Sequence, residues 1–437
     1  MTPDSSPAPG AALPAGYRMA ELAAGDRDLL IDLATWAFAS TKREQDEERR
    51  TFALEPGRMV GVWAPDPRGA VTGADAAEAP ETLAAAHASY AFTSFGVPGG
   101  TLPTAGLTWV AVHPQHRRRG LARAMVTAHL HRTAARGEAL SVLFASEPSI
   151  YGRYGYGRAS HHVTLTLQRG QQLRPVPGAD ELTVRAETAD RARHAPIVRA
   201  VHDACERPGW ARRGSPGLED GVFAADPDDG GEPLRIASVQ DQAGATRAYA
   251  LFSRRLPHTG DWVANGTVSV REAVALDGAA ARALWGFLTD LDLMGSVKSP
   301  MLAPDDPLLA QLVNTRLARP ATVDNVWARL VDLPAALRGR TYAAPVDVVL
   351  DVTDELLAAN AGRWRLRAAS GSADVEPTSA DPDLVLDTAE LATAYLGGVS
   401  FASLGAAGLV REVTPGALAA CSTALGWPQA PVTSWIF

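Results

Sequence analysis

The chain has 437 residues, 46% of them apolar and 21% charged, the make-up of a folded protein with about two to four domains rather than a single core. A formal net charge of -8 argues against a nucleic-acid-coating protein or a polybasic membrane binder, both of which need surplus Lys and Arg. Only Cys205 and Cys421 are present, far apart, so neither a disulfide framework nor a zinc cluster can be built, and a reducing, cytoplasmic setting is expected.

In chain order, residues 1–16 are rich in Pro, Ala, Gly and Ser and lack the basic head and apolar run of a signal peptide, which predicts a disordered tail. Residues 27–40 carry Leu29, Leu30, Leu33, Trp36 and Ala37 at helical spacing, and the charged run 42–50 is read as a second helix. A short strand at 58–63 precedes residues 64–86, whose Ala, Gly, Pro and Asp offer nothing to bury and are expected to form a hairpin excursion or mobile loop. Strands are expected at 88–95 and 106–112, then a helix over 121–136 that Gly137 stops, then an apolar strand at 140–145. This β-α-β order implies an α/β layer. A Tyr- and Gly-rich turn at 151–157 leads to a strand over 162–168.

A Pro- and Gly-bearing linker at 171–179 opens a second region, with strands at 182–186, 234–239, 247–254 and 267–276 before a helix over 279–291. The order mirrors the first region. At the mirrored loop, however, the chain reads Asp277-Gly278-Ala279-Ala280-Ala281, acidic where the first copy is basic, as in a repeat that has lost its phosphate-binding chemistry. From about residue 334 the pattern becomes α+β, with short strands at 347–352, 363–367 and 384–386 and helices at 389–396 and 415–425. The apolar terminus at 432–437 is expected to dock rather than hang in water. No stretch reaches the ~18 to 20 apolar residues that span a bilayer, so no membrane insertion is expected.

The segment richest in chemistry is Thr108-Trp109-Val110-Ala111-Val112-His113-Pro114-Gln115-His116-Arg117-Arg118-Arg119-Gly120-Leu121-Ala122. It reads as a strand, a turn held by Pro114, a basic glycine-containing loop and a helix start. The unpaired N–H groups of a first helical turn, with the helix dipole, cradle phosphate oxygens. Gly120 and Ala122 allow close approach, and the arginines supply charge. No G-x-x-x-x-G-K-[ST] occurs, and no G-x-G-x-x-G follows a strand. His113 and His116 lack an accompanying carboxylate or cysteine and read as turn surface; no metal is expected.

Arg117-x-x-Gly120-x-Ala122 resembles the acyl-coenzyme-A signature of the GNAT N-acetyltransferase superfamily. Leu102-Pro103-Thr104-Ala105-Gly106-Leu107, Ala145-Ser146-Glu147-x-x-Ile150-Tyr151-Gly152-Arg153-Tyr154-Gly155-Tyr156-Gly157, Ala283-Leu284-Trp285 and Pro334-Ala335-Ala336-Leu337 narrow the resemblance to the Eis (enhanced intracellular survival) family, in matching order from about residue 102 to the end. The resemblance implies an N-terminal GNAT domain over 17–170, a degenerate GNAT-like domain over 171–333 and a sterol-carrier-protein-like domain over 334–437, assembled as a homohexamer that acetylates amines, including aminoglycosides and lysine side chains.

It also implies that acetyl-coenzyme A contacts Val110, Ala111, Val112, Arg117, Arg118, Arg119, Gly120, Leu121, Ala122, Arg123, Ser146 and Glu147. Tyr151 would be the general acid and the α-carboxylate of Phe437 the general base. The chemistry is consistent: a carboxylate must take the ammonium proton before nitrogen attacks a thioester, the Val112 N–H is placed for the oxyanion, and a phenol of reference pKa ~10 can protonate the departing thiolate. Tyr154 and Tyr156 read as structural.

Where family members that act on polycationic antibiotics place carboxylates, this chain has Ser40 and Ile436, which makes the pocket less acidic. Trp36, Phe38 and Trp109 either form an aromatic wall for an ammonium or are core. Glu44, Asp46, Glu47 and Glu48 either restore charge at the pocket mouth or form a solvated helix face. The function expected is acetyl transfer to a small-molecule primary amine of aminoglycoside or polyamine type, through a tetrahedral intermediate. The alternatives are a protein or peptide lysine acetyltransferase and a non-catalytic lipid or acyl-coenzyme-A binder.

Overall fold

The structure, a computed structural model, describes residues 13–38, 55, 57–65, 81–224, 232–256, 265–369 and 371–437. Ser40, the run 42–50 with its four acidic residues, and most of the tail expected at 1–16 lie outside the described residues. Leu13, placed in that tail on composition, packs against a cluster built from Val62, Leu121 and Met125.

The first helix, α1 (Arg27–Phe38), buries Leu30, Ile31, Leu33 and Ala34, the three- and four-residue spacing of one helical face. It packs mainly on β3 (Glu81–Val97) and β4 (Gly100–Val112) of a sheet in which β1 (Arg18–Glu21), β2 (Met59–Pro65), β3 and β4 are neighbours in that order and antiparallel. The hairpin β3–β4 is much longer than expected from the sequence and turns at Gly99, whose φ of +72° suits glycine. Residues 81–86, read as having nothing to bury, are strand: Leu83 and Ala86 join the cluster of α1, while Ala84 and Ala85 join that of helix α2 (Leu121–Ala135). Alanine is a poor strand former, but its small side chain lets helices close on both faces of this sheet. Helix α2 crosses over to β5 (Leu140–Leu143), which therefore runs parallel to β4.

After β5 come β6 (Gly157–Arg158), β7 (His161–Thr164) and β8 (Thr166–Gln168). Then follow β9 (Thr183–Thr188), helices α3 (Arg191–Asp203) and α4 (Pro216–Val222), β10 (Arg235–Gln240), β11 (Thr246–Arg255), β12 (Gly266–Ala275), helix α5 (Gly278–Thr289) and β13 (Met294–Lys298). The second sheet is ordered β8-β13-β12-β11-β10-β9, and α5 crosses between the parallel pair β12 and β13 as α2 does between β4 and β5. Sequence reading missed α3, which carries Pro196 and a polar sequence but is started by Asp190, whose side chain accepts from Arg193 N.

The two halves exchange strands. The single strand expected over 162–168 breaks at Leu165: β8 joins the second sheet, and β7 pairs with β14 (Ala321–Asp324), which follows a short helix, α6 (Pro307–Gln311). In return β15 (Trp327–Leu330) enters the first sheet between β5 and β6. The chain then forms α7 (Leu333–Arg338) and a sheet of β16 (Val346–Thr353), β17 (Gly362–Ala369), β18 (Ser372–Pro377), β19 (Leu384–Asp387) and β20 (Val410–Glu412), ordered β18-β17-β16-β19-β20. Helices α8 (Thr388–Tyr395), α9 (Phe401–Ala406) and α10 (Ala417–Leu425) accompany it. Its core is continuous with the first sheet: Phe92, Val142 and Leu330 share one buried cluster with Leu350, Leu366 and Leu391. No described helix is long and apolar enough to cross a membrane.

Candidate active site

The site begins where two parallel strands part. β4 and β5 pair only over Thr104, Ala105 and Gly106 against Leu140, Ser141 and Val142; beyond Gly106 the neighbour is lost. In the same stretch the β3–β4 register shifts, with Trp109 and Val110 facing His87 alone, a β-bulge that places Trp109 at φ +56°. Backbone N–H groups in an antiparallel ladder point alternately to the two edges. His113 N donates to Ala84 O on the β3 side at 2.9 Å, so Val112 N–H is directed toward the gap. Val110 and Val112 are half-buried there, and Ala111 is buried against α1.

After β4, Pro114, Gln115 and His116 make one 3₁₀ turn capped by the His113 side chain. Arg118 (φ +60°) and Gly120 (φ +77°) then reverse the chain into α2. A Cβ on Gly120 would meet no protein atom within 4 Å, so this glycine answers to backbone geometry and to the open space before it. Arg117 and Arg118 are exposed and carry no ion pair among the described residues. Arg119 donates to the Tyr17 hydroxyl at 2.9 Å, Tyr17 in turn lies 2.8 Å from His116 Nδ1, and Arg123 pairs with Glu355 at 3.5 Å. Leu121 is buried and pins the helix start, while Ala122 is half-buried. Free first-turn amides, cationic side chains and a cleared approach fit the diphosphate of coenzyme A. In the second half Asp277 fills the corresponding place: its carboxylate accepts from Ala280 N at 2.8 Å and binds Arg247 at 2.7 Å. An anion of the chain itself thus sits where a phosphate would.

Beyond β5, Ser146 and Glu147 are exposed on the rim, and the chain turns through Tyr151. Tyr151 belongs to one apolar cluster with Val110 and Ala145, from the two parted strands, and its ring meets Tyr156 edge-on at 5.9 Å. Burial, with smaller contributions from Tyr154 and Glu147, pushes its phenol up to about 12. Tyr154 and Tyr156 are buried, and the Tyr156 hydroxyl bonds Ser141 Oγ at 2.7 Å. The glycines between them are fixed by packing. A Cβ at Gly155 would lie 2.7 Å from Arg329 Nε, and one at Gly157 would run into the Ala389 carbonyl on α8.

The chain end lies on the other side of β5. The Phe437 ring packs edge-on against Phe92 at 4.8 Å and Phe144 at 5.2 Å. It closes a cavity of about 430 Å³, a volume that suits a small molecule. Tyr90, Thr108 and Trp109 line it from the first sheet, Leu218, Arg271 and Glu272 from the second half, and Trp435 and Ile436 from the chain end. Trp109 is thus a wall residue. Trp36 and Phe38 are not: both are exposed, at 63% and 44%, so the core reading fails for them, and Trp36 lies against His113 rather than the cavity. Ile436 is exposed at 69%. Sequence reasoning missed Arg213, Glu272 and Ser434, which also line the cavity. They come from segments widely separated in the chain, with no motif to join them.

A βαβ unit whose parted strands face an acyl-donor loop defines a GNAT-type acetyltransferase. Residues 18–159 and 207–330 each match an acetyltransferase (GNAT) domain family, and residues 333–434 match a sterol carrier protein domain family. The chain belongs to the Eis family of N-acetyltransferases. It is 35% identical to N-acetyltransferase Eis of Mycobacterium bovis over 74% of this chain and 78% of that one. It is 40% identical to an uncharacterized N-acetyltransferase of Streptomyces coelicolor over 86% and 88%. The crystal structure of Eis1 from Mycobacterium abscessus superposes with a TM-score of 0.77 at 30% identity, covering 96% of this chain and 100% of that one. The fold therefore comprises two GNAT domains, the second divergent, and a sterol-carrier-protein domain, and it implies acetyl-coenzyme A as acetyl donor.

Proposed function

We propose that this N-acetyltransferase carries the acetyl group of acetyl-coenzyme A to the primary amine of a small molecule bound in the cavity that Phe437 closes. The carrying observation is the position of that cavity, bounded by the β4 bulge at Thr108 and Trp109 on one side and by the last residues of the chain on the other. In this reading the first turn of α2, with Arg117, Arg118 and Arg119, holds the diphosphate, and Val112 N–H receives the negative charge that develops on the acetyl oxygen. The α-carboxylate of Phe437 takes the amine's proton, directly or through a water. Tyr151, kept as a neutral phenol by its burial, gives a proton to the departing sulfur.

The cavity favours a compact amine over a peptide or a large polycation. Its described walls are rich in aromatic rings, and Arg213 and Arg271 accompany Glu272, so the field there is less negative than an aminoglycoside or long polyamine demands. The free thiols Cys205 and Cys421 support a reducing, cytoplasmic setting. A homohexamer is proposed on family resemblance alone, and sedimentation velocity tests it.

The deciding assay is free-thiol release from acetyl-coenzyme A against a panel of amines running from monoamines to polyamines and aminoglycosides. Amine-dependent release, strongest for compact monoamines, is expected. A panel that releases no thiol above the amine-free rate overturns the reading. Extending the chain by one glycine after Phe437 is expected to lower kcat about 100-fold, to a slow but measurable rate, and unimpaired turnover removes the carboxylate from the mechanism.

A further inference from the structure

The end of the chain is gripped mainly by the second GNAT domain, the one whose own donor loop is filled by Asp277. Ala430 N donates to Asp305 at 2.9 Å and its carbonyl accepts from Arg207 at 2.8 Å. Val432 N reaches Pro208 O at 3.0 Å, beside Gly209 at φ +82°, where a Cβ would lie 3.0 Å from that same nitrogen. Thr433 exchanges two hydrogen bonds with the Asn325 side chain, and Trp435 Nε1 donates to Ala211 O at 2.7 Å. At Ser434 the acceptor is charged: Ser434 Oγ and Arg213 Nη2 both donate to Glu272 Oε1, each at 2.6 Å, and the Tyr249 hydroxyl donates to Oε2 at 2.7 Å. The Arg213 guanidinium also lies 5.0 Å over the Trp435 ring.

A carboxylate and a guanidinium this deeply buried, at 1% and 9% exposure, are costly to desolvate, and an apolar pair commonly serves stability as well. What this pair gains is geometry. Chain termini fray unless tied down, and three residues reach only about 10 Å, so fixing Ser434 and Trp435 confines the carboxylate of Phe437 to the cavity. We infer that Glu272, with Arg213, is a positioning residue for acetyl transfer: the divergent domain has given up its own donor site and serves as the clamp that aims the chain end. The inference rests on reading that carboxylate as the base.

The test uses the full-length chain with E272Q, S434A, the one-glycine extension after Phe437, and E272Q combined with that extension. We expect E272Q to lower kcat at least tenfold, S434A several-fold, and acetyl-coenzyme A affinity by calorimetry to stay within twofold. The combined variant should be no slower than the extension alone, because both act through one carboxylate. A merely structural role would not produce that non-additivity or leave donor binding intact. Parental kcat in E272Q, or losses that multiply in the combined variant, overturn the inference. Full turnover in the extended chain instead overturns the base assignment itself, a separate result. Should E272Q fail to fold, S434A and its own combination with the extension carry the same comparison.

Discussion

Arg329 Nε donates to the carbonyl of Tyr154 at 2.9 Å, which suspends the turn bearing Tyr151 from β15, the last strand of the second GNAT domain. The same guanidinium reaches Leu330 O and Thr388 Oγ1 at 2.9 Å and Asp354 at 2.6 Å. All three domains therefore converge behind one candidate catalytic hydroxyl, and the exchanged strand β15 is what brings them there.

Arg329→Met removes every one of these donors and leaves Asp354, whose side chain is 1% exposed, buried without its counter-ion. Breaking one side of such a pair costs about 3–5 kcal/mol, so a large drop in the urea midpoint is expected, together with a lower kcat as the Tyr151 turn loosens. A shift below about 1 kcal/mol contradicts this account of how the turn is held.

Gly120→Ala tests the donor loop from the opposite direction. Nothing in the protein crowds the new methyl, so stability should fall only by the left-handed backbone penalty of about 1–2 kcal/mol. The methyl points into the space assigned to the diphosphate, and the KM for acetyl-coenzyme A should rise at least tenfold with little change in kcat. An unchanged KM places the donor elsewhere.

Tyr151→Phe keeps the edge-on contact with Tyr156 and removes only the hydroxyl. We expect a folded enzyme with kcat reduced about 10- to 100-fold, within the range of general acid catalysis or just below it. Because burial holds the phenol protonated up to about 12, the parent enzyme should show no alkaline loss of kcat from this group between pH 8 and 10. Parental kcat in the phenylalanine variant removes Tyr151 as the acid.

His87 makes stability depend on pH. It is fully buried, its Nδ1 has no hydrogen-bond partner among the described residues, and burial, then Arg132 and Arg136, pull its pKa down to about 3. His129, packed edge-on at 5.6 Å, is also driven well below its ordinary value by burial and by His87. The unfolded chain thus binds protons below about 6.5 that the native state refuses until about 3. Stability is unaffected above pH 6.5 and falls as pH drops through that window, by about 2 kcal/mol at pH 5 from His87 alone. His87→Leu should flatten the dependence of the urea midpoint on pH between 7 and 5, and a slope equal to the parent's refutes the assignment.

Much of the architecture was legible because the relevant signals are local. The helical spacing of Leu30 and Leu33, the apolar run of β5, the loop around Gly120 and the stop at Gly137 all lie within a few residues of the structure they dictate. Reading failed where neighbours decide. Ala84, Ala85 and Ala86 look like linker until helices are placed on both faces of β3. Leu165 gives no local sign that the strand divides between two sheets. Trp36 looked like core or pocket wall and is neither.

By itself the sequence determined the phosphate-cradling loop, since strand, loop and helix start are contiguous and their free amides follow from backbone geometry alone. Resemblance to the Eis family, carried by the residues around Tyr151, singled out Tyr151 and Phe437 as candidates. Only the tertiary structure decided what surrounds them: the parting of β4 from β5, the cavity shared by the first two domains and the chain end, and the Glu272–Arg213 clamp on Ser434. Those arise from pairings between segments tens to hundreds of residues apart, whose selection is a matter of shape, burial and charge matching that no local pattern encodes.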